Sequence, residues 1–92
     1  MTSIEVHCEP GGEGWHCRVT VRDDGSSSVH EVTVSRAELD RLDPAATEPG
    51  DLVARSFEFL LAREPKESIL RSFDLPVIGR YFPEWERSIR RG

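Results

Sequence analysis

The stretch Trp15-His16-Cys17-Arg18-Val19-Thr20-Val21-Arg22-Asp23-Asp24-Gly25-Ser26-Ser27-Ser28-Val29-His30-Glu31-Val32-Thr33-Val34 decides the fold. Its first half alternates apolar Trp15, Cys17, Val19 and Val21 with polar His16, Arg18, Thr20 and Arg22. Strict alternation marks a half-buried strand, because successive side chains point to opposite faces. Val32 and Val34 resume the pattern after Asp24-Gly25. An Asp-Gly pair between two such runs signals a hairpin, since a two-residue type I′ turn needs positive φ at both central positions. With that turn, paired positions sum to 49, so Trp15 faces Val34, Cys17 faces Val32 and Arg18 faces Glu31.

Upstream, Ile4, Val6 and Cys8 alternate with Glu5 and His7 and predict an earlier strand. A sum of 25 sets Val6 opposite Val19 and Cys8 opposite Cys17. The connection Glu9-Pro10-Gly11-Gly12-Glu13-Gly14 reads as a longer, looser loop. Directly opposed residues share a face. One face therefore gathers Ile4, Val6, Cys8, Trp15, Cys17, Val19, Val21, Val32 and Val34, and a slip of one residue would scramble it.

Downstream, Ser35-Arg36-Ala37-Glu38 is a capping box opening a short helix to about Leu42. Asp51 is expected to cap a second helix to about Arg63, whose apolar residues Leu52, Val53, Phe57, Phe59, Leu60 and Leu61 cover more than one face. Pro65, Pro76 and Pro83 each suit a first helical turn and predict three short helices, with a Pro83 kink near Gly79 as the alternative. The expected architecture is α+β in a single domain over residues 1–92. A three-stranded antiparallel meander (1–35) precedes three to five short helices (36–92) packed on one sheet face.

The 92 residues carry 12 Lys/Arg against 17 Asp/Glu, a net charge of −5. Residues 1–62 hold five arginines and twelve acids, whereas residues 63–92 hold seven basic residues and five acids. An acidic front half argues against general nucleic-acid binding, which needs a basic surface. Eleven of the twelve basic residues are arginine, a bias of GC-rich bacterial genomes. No apolar run exceeds the four residues Phe59–Ala62, which excludes a membrane-spanning helix. The first residues show no basic region followed by an apolar stretch, so the expected location is cytoplasmic; Cys8 and Cys17 could form one disulfide, with reduced thiols as the default there.

Two His-Cys pairs, His7-Cys8 and His16-Cys17, have the composition of a zinc site. Neighbours on a strand face opposite ways, so the cysteines turn inward and the histidines outward, and no metal is expected. His30 falls on the inner face, opposite Val19 and diagonal to Cys17. A nucleophilic pair there would still need substrate access, an orienting partner and oxyanion donors, and the sequence points to none. Gly11-Gly12-Glu13-Gly14 joins two strands and carries acids, unlike a phosphate loop. No catalytic residue and no cofactor is expected. Residues 66–73 and 77–82 permit a comparison with a helix-turn-helix. Glu67/Arg71 and Glu86/Arg90, however, are spaced as i,i+4 pairs that would occupy the arginines locally.

The stretch Phe57-Glu58-Phe59-Leu60-Leu61-Ala62-Arg63-Glu64-Pro65-Lys66-Glu67-Ser68-Ile69-Leu70, with Phe73-Asp74-Leu75-Pro76-Val77-Ile78, resembles small bacterial proteins that have no assigned function. The resemblance covers roughly the last forty residues and implies no activity or binding residues. The strand-then-helix order is also loosely similar to antitoxins of the HicB type, although the multi-helix C-terminus departs from their βββαβ core.

The expected function is a non-enzymatic protein-interaction or regulatory domain, with a protein partner or self-association. Open sheet edges and the aromatics Phe59, Tyr81 and Trp85 are the candidate contacts. The alternative is a nucleic-acid-linked regulator using Arg80, Arg87, Arg90 and Arg91.

Overall fold

Alternation in the first third becomes a meander of three antiparallel strands: β1 (Ser3–Gly11), β2 (Gly14–Asp23) and β3 (Ser26–Ser35). The structure, a computed structural model, describes residues 2–90. Both expected registers are present, with Val6↔Val19 and Cys8↔Cys17 in one pair of strands and Trp15↔Val34 and Arg18↔Glu31 in the other. Asp24 (φ 48°) and Gly25 (φ 80°) take the two left-handed conformations that a type I′ turn requires.

The first connection differs from expectation. β1 continues through Pro10 to Gly11, leaving only Gly12-Glu13 as the turn. Gly12, at φ 60°, supplies the single positive φ of a type II′ turn, so the apparent loop is a second tight hairpin. Gly14 is needed for a different reason: a Cβ there would lie 2.1 Å from the Val34 carbonyl oxygen. That close approach lets the Glu13 carbonyl accept from the Arg36 N–H at 2.9 Å, which ties the hairpin to the start of the first helix.

The cysteines also depart from expectation. Cys8 and Cys17 form a disulfide across the β1–β2 ladder, so neither is a free thiol. The predicted pairing placed them directly opposite, and the structure takes the disulfide alternative in place of the reduced default.

Helix α1 (Arg36–Leu42) opens on Ser35, whose hydroxyl accepts the Glu38 N–H at 3.1 Å. Helix α2 (Gly50–Leu61) begins two residues earlier than expected, with Pro49 and not Asp51 in the cap position. The Asp51 carboxylate instead accepts from Arg55 one turn on, at 2.9 Å. A 3₁₀ turn, Lys66–Ser68, follows Pro65, and a second, Leu75–Val77, contains Pro76. Helices α3 (Ile78–Tyr81) and α4 (Trp85–Ile89) close the chain. Between them Phe82 is forced out of helical geometry (φ −131°, ψ 89°) by Pro83, so the proline breaks the helix rather than bending it at Gly79.

The largest departure lies between the 3₁₀ turns. Ser72–Asp74 is a fourth strand, β4, which lies parallel to β3 and makes the sheet mixed, in the order β1-β2-β3-β4. It adds Phe73 beside Val32, and the Arg71 carbonyl accepts from Glu31 N–H at 2.7 Å. The meander is therefore part of a four-stranded sheet.

All nine residues assigned to the inner face belong to the core or pack against it. Phe57, Leu39, Leu42, Leu52, Leu75 and Trp85 cover them from the helical side. One polar node is sealed within: Ser56 donates to the Leu52 carbonyl at 2.9 Å and accepts from the Trp85 indole N–H at 3.1 Å. A buried indole N–H without such a partner would carry its full desolvation cost.

Candidate functional site

Pro65 ends the helical run, and the chain then turns back along the end of α2, through Ile69 and Leu70, to reach β4. Ile69 is buried, but Leu70 remains 48% exposed. Below it opens a cleft of about 330 Å³ between the end of α2, this returning segment and α3. Leu60, Ile69, Leu70, Phe73, Val77, Ile78, Tyr81 and Phe82 line it, with Glu64 and Ser68 as its polar members. Across from Leu70 stands Tyr81, 68% exposed and the most open large apolar side chain among the described residues. A mostly apolar concavity with few polar groups has the character of a binding site.

His30 holds one wall of the cleft in place. Its Nδ1 lies 2.8 Å from the Leu70 carbonyl oxygen and its Nε2 lies 2.8 Å from Ser28 Oγ. A carbonyl can only accept, so Nδ1 carries a proton and donates. The ring packs 5.3 Å from Phe57, which in turn stacks 6.1 Å from Phe73 at the cleft. Both ring nitrogens are thus committed, and Cys17 is bonded to Cys8. The arrangement is a peg for the returning chain and not a nucleophile with its base.

The other predicted residues scatter. Trp85 is 1% exposed and its ring packs against Gly79. Phe59 is 7% exposed, with the Arg63 guanidinium 3.6 Å above its ring and Phe82 edge-on at 5.8 Å. Of the three aromatics singled out, only Tyr81 presents a surface. His7 and His16 face outward beside Glu9 and Glu31, at 3.7 and 2.7 Å. Among the described residues, no group of three or more His, Cys, Asp or Glu side chains converges as a metal site would require.

Arg80, Arg87 and Arg90 are exposed, and Arg91 lies outside the described residues. Two glutamates interrupt this surface: Glu84 lies 3.6 Å from Arg63, and Glu86 pairs with Arg41. Glu86 is therefore committed to α1 and does not make the i,i+4 contact expected with Arg90. Glu86 first, and Glu38 second, hold the Arg41 guanidinium above its ordinary pKa. Glu67 likewise turns to its neighbour Lys66, at 2.8 Å, and the ammonium draws its pKa below the usual carboxylate value. Residues 66–73 form a 3₁₀ turn and β4, so the first helix of the helix-turn-helix comparison is replaced by a turn and a strand.

Sequence reading missed the cleft because its walls come from four segments with no shared periodicity. The one available signal was Leu70, an apolar residue between Ile69 and Arg71 that fits no amphipathic face. No family model, curated protein or solved structure matches the chain, so its functional reading rests on its own geometry. No helix among the described residues is long and apolar enough to cross a membrane.

Proposed function

We propose that this domain is a non-enzymatic protein-interaction module that receives an apolar segment of a partner in the cleft between Leu70 and Tyr81. The carrying observation is that, of the three exposed large apolar side chains among the described residues, two, Leu70 and Tyr81, flank the same apolar concavity. Aromatic side chains beside a pocket are the usual anchors of an interface. Glu64 at the cleft favours a partner with a basic residue next to its apolar anchor. The cytoplasmic location belongs to this reading, and there the Cys8–Cys17 bond would be open to reduction.

The test is affinity capture from the host with the unaltered chain, Tyr81→Ser and Leu70→Ser. Each variant is first checked for unchanged circular dichroism and thermal midpoint. A stoichiometric protein that is retained by the unaltered chain and lost with both variants supports the reading. Retention by both variants refutes it. Nucleic acid released by modest salt, and lost with Arg87→Ala/Arg90→Ala, would put the arginine surface in its place.

A further inference from the structure

β1 is one edge of the sheet, and it is an open one. Its ladder with β2 runs without a bulge from Ser3↔Arg22 to Gly11↔Gly14. Cys8 and Cys17 stand only 3.9 Å apart at Cα, the narrow spacing of a non-hydrogen-bonded pair. The N–H and C=O groups of Ile4, Val6 and Cys8 therefore point away from β2. Pro10 has the same parity and lacks an N–H where none is needed, as edge prolines do.

Burial across this ladder is lopsided. Cys17, Val19 and Val21 are fully buried, yet the residues opposite them, Cys8, Val6 and Ile4, are only half-buried. The missing cover is on the open side. At the start of β1 a groove of about 490 Å³ opens between Ile4 and α2, lined also by Thr2, Ala54, Glu58, Leu61 and Ala62. Folded proteins blunt long edges with lysines, bulges or inward charges. β1 has no lysine, bulge or inward charge, and its edge is blunted only by the outward Glu5 and Glu9 and by Pro10 near its end, whereas the opposite edge ends on the three-residue β4.

We propose that a second copy of this chain pairs antiparallel along β1, with Val6 on the two-fold axis, joining two four-stranded sheets into one. The outward backbone groups meet only if paired residue numbers have an even sum. A sum of 10 sets Glu5 against Glu5 of the partner subunit, and a sum of 14 sets Glu5 against Glu9 of the partner subunit. A sum of 12 avoids both clashes, setting Glu5 opposite His7 of the partner subunit and Ser3 opposite Glu9 of the partner subunit. On the inner face Val6 then meets Val6 of the partner subunit, and Ile4 meets Cys8 of the partner subunit. Glu5, which also accepts from Arg22 of its own chain at 2.5 Å, and His7 fall in the closer, non-hydrogen-bonded pairs, where opposite charges stabilise and like charges oppose. An imidazole N–H can donate to the carboxylate whether or not the ring is charged. This interface is separate from the cleft and does not depend on its occupant.

The test is a charge swap read by sedimentation velocity on the intact, oxidised chain. The unaltered chain should show a monomer–dimer equilibrium. Glu5→Lys or His7→Glu alone should weaken it about tenfold, through two symmetric contacts of ordinary cross-strand strength. The combined variant Glu5→Lys/His7→Glu should recover the dimer, because opposite charges face each other again. Amide exchange at Ile4, Val6 and Cys8 should slow as concentration rises. The two altered positions, Glu5 and His7, are exposed and the three monitored ones are half-buried on the same edge strand, and circular dichroism confirms folding of each variant. A chain that remains monomeric at the concentration of an NMR sample overturns the proposal. So does a dimer indifferent to the swap, or one abolished by Tyr81→Ser, which would place the contact at the cleft.

Discussion

Arg55 joins three segments that chain order keeps apart. Its guanidinium donates to Asp43 after α1 at 2.7 Å, to Asp51 in the first turn of α2 at 2.9 Å, and to the Ile89 carbonyl at the end of α4. Asp43 and Arg55 are both largely buried, with 11% and 14% of their side chains exposed. Removing one partner of such a pair strands the other in a poorly solvated place. Arg55→Ala should therefore cost about 2–4 kcal/mol in urea unfolding, near the range for broken buried pairs. Arg55→Lys should recover only part, since an ammonium lacks the planar fork that spans three acceptors. A loss below about 0.5 kcal/mol, the size of an exposed pair, would show that the clamp contributes little. Arg55 was legible in the sequence only as a polar position on a helix. Asp51 is its i,i+4 neighbour, but the other two partners lie 12 and 34 positions away, and no local pattern records them.

At the scale of elements, the β1–β2 hairpin is closed twice, by the Gly12-Glu13 turn and by the Cys8–Cys17 bond. A cross-link between residues nine apart restricts the unfolded chain, an effect of about 2–3 kcal/mol for a loop of this length. Reduction with excess dithiothreitol should lower stability by that amount while leaving the sheet's circular dichroism intact. The register is also held by Val6, Val19 and the turn chemistry. Two free thiols appearing with no change in the unfolding midpoint would contradict this. The two turns show why one hairpin was readable and the other was not. Asp24-Gly25 announces itself as the residue pair a type I′ turn demands. Gly12-Glu13 hides among Pro10, Gly11 and Gly14, and so much glycine mimics a loop. What makes Gly14 a strand residue is the carbonyl of Val34, on the neighbouring strand β3, lying against its missing Cβ.

Across the whole molecule, one core connects the sheet to every helix. Trp15 lies at the hairpin end of the sheet beneath the Arg36 guanidinium, and Trp85 lies in α4 against Ser56 of α2. Both belong to the same buried cluster. The indole signals of Trp15 and Trp85 should then disappear at the same denaturant concentration, together with the backbone dichroism. Separate midpoints would instead mean that the meander and the helical part unfold independently. The proposed β1 pairing adds a concentration dependence to that midpoint, since association of folded chains stabilises them by mass action.

While the choice between a break and a kink at Pro83 was left to the structure, residue order alone determined the meander, its two registers, its inner and outer faces, the Ser35 cap and the end of α2 before Pro65. These follow from period-two alternation, two-residue turn chemistry and fixed proline φ, all of which act between residues close in sequence. The tertiary structure alone decided β4, the Arg55 clamp, the sealed Ser56–Trp85 pair, the His30 peg and the cleft beside Tyr81. Ser72–Asp74 is too short to show a period and becomes a strand only because β3 offers an edge to it. His30 is a peg only because Leu70, forty residues later, places a carbonyl at its Nδ1. Local geometry is written in neighbouring residues, whereas a contact across forty residues depends on how every element between them packs.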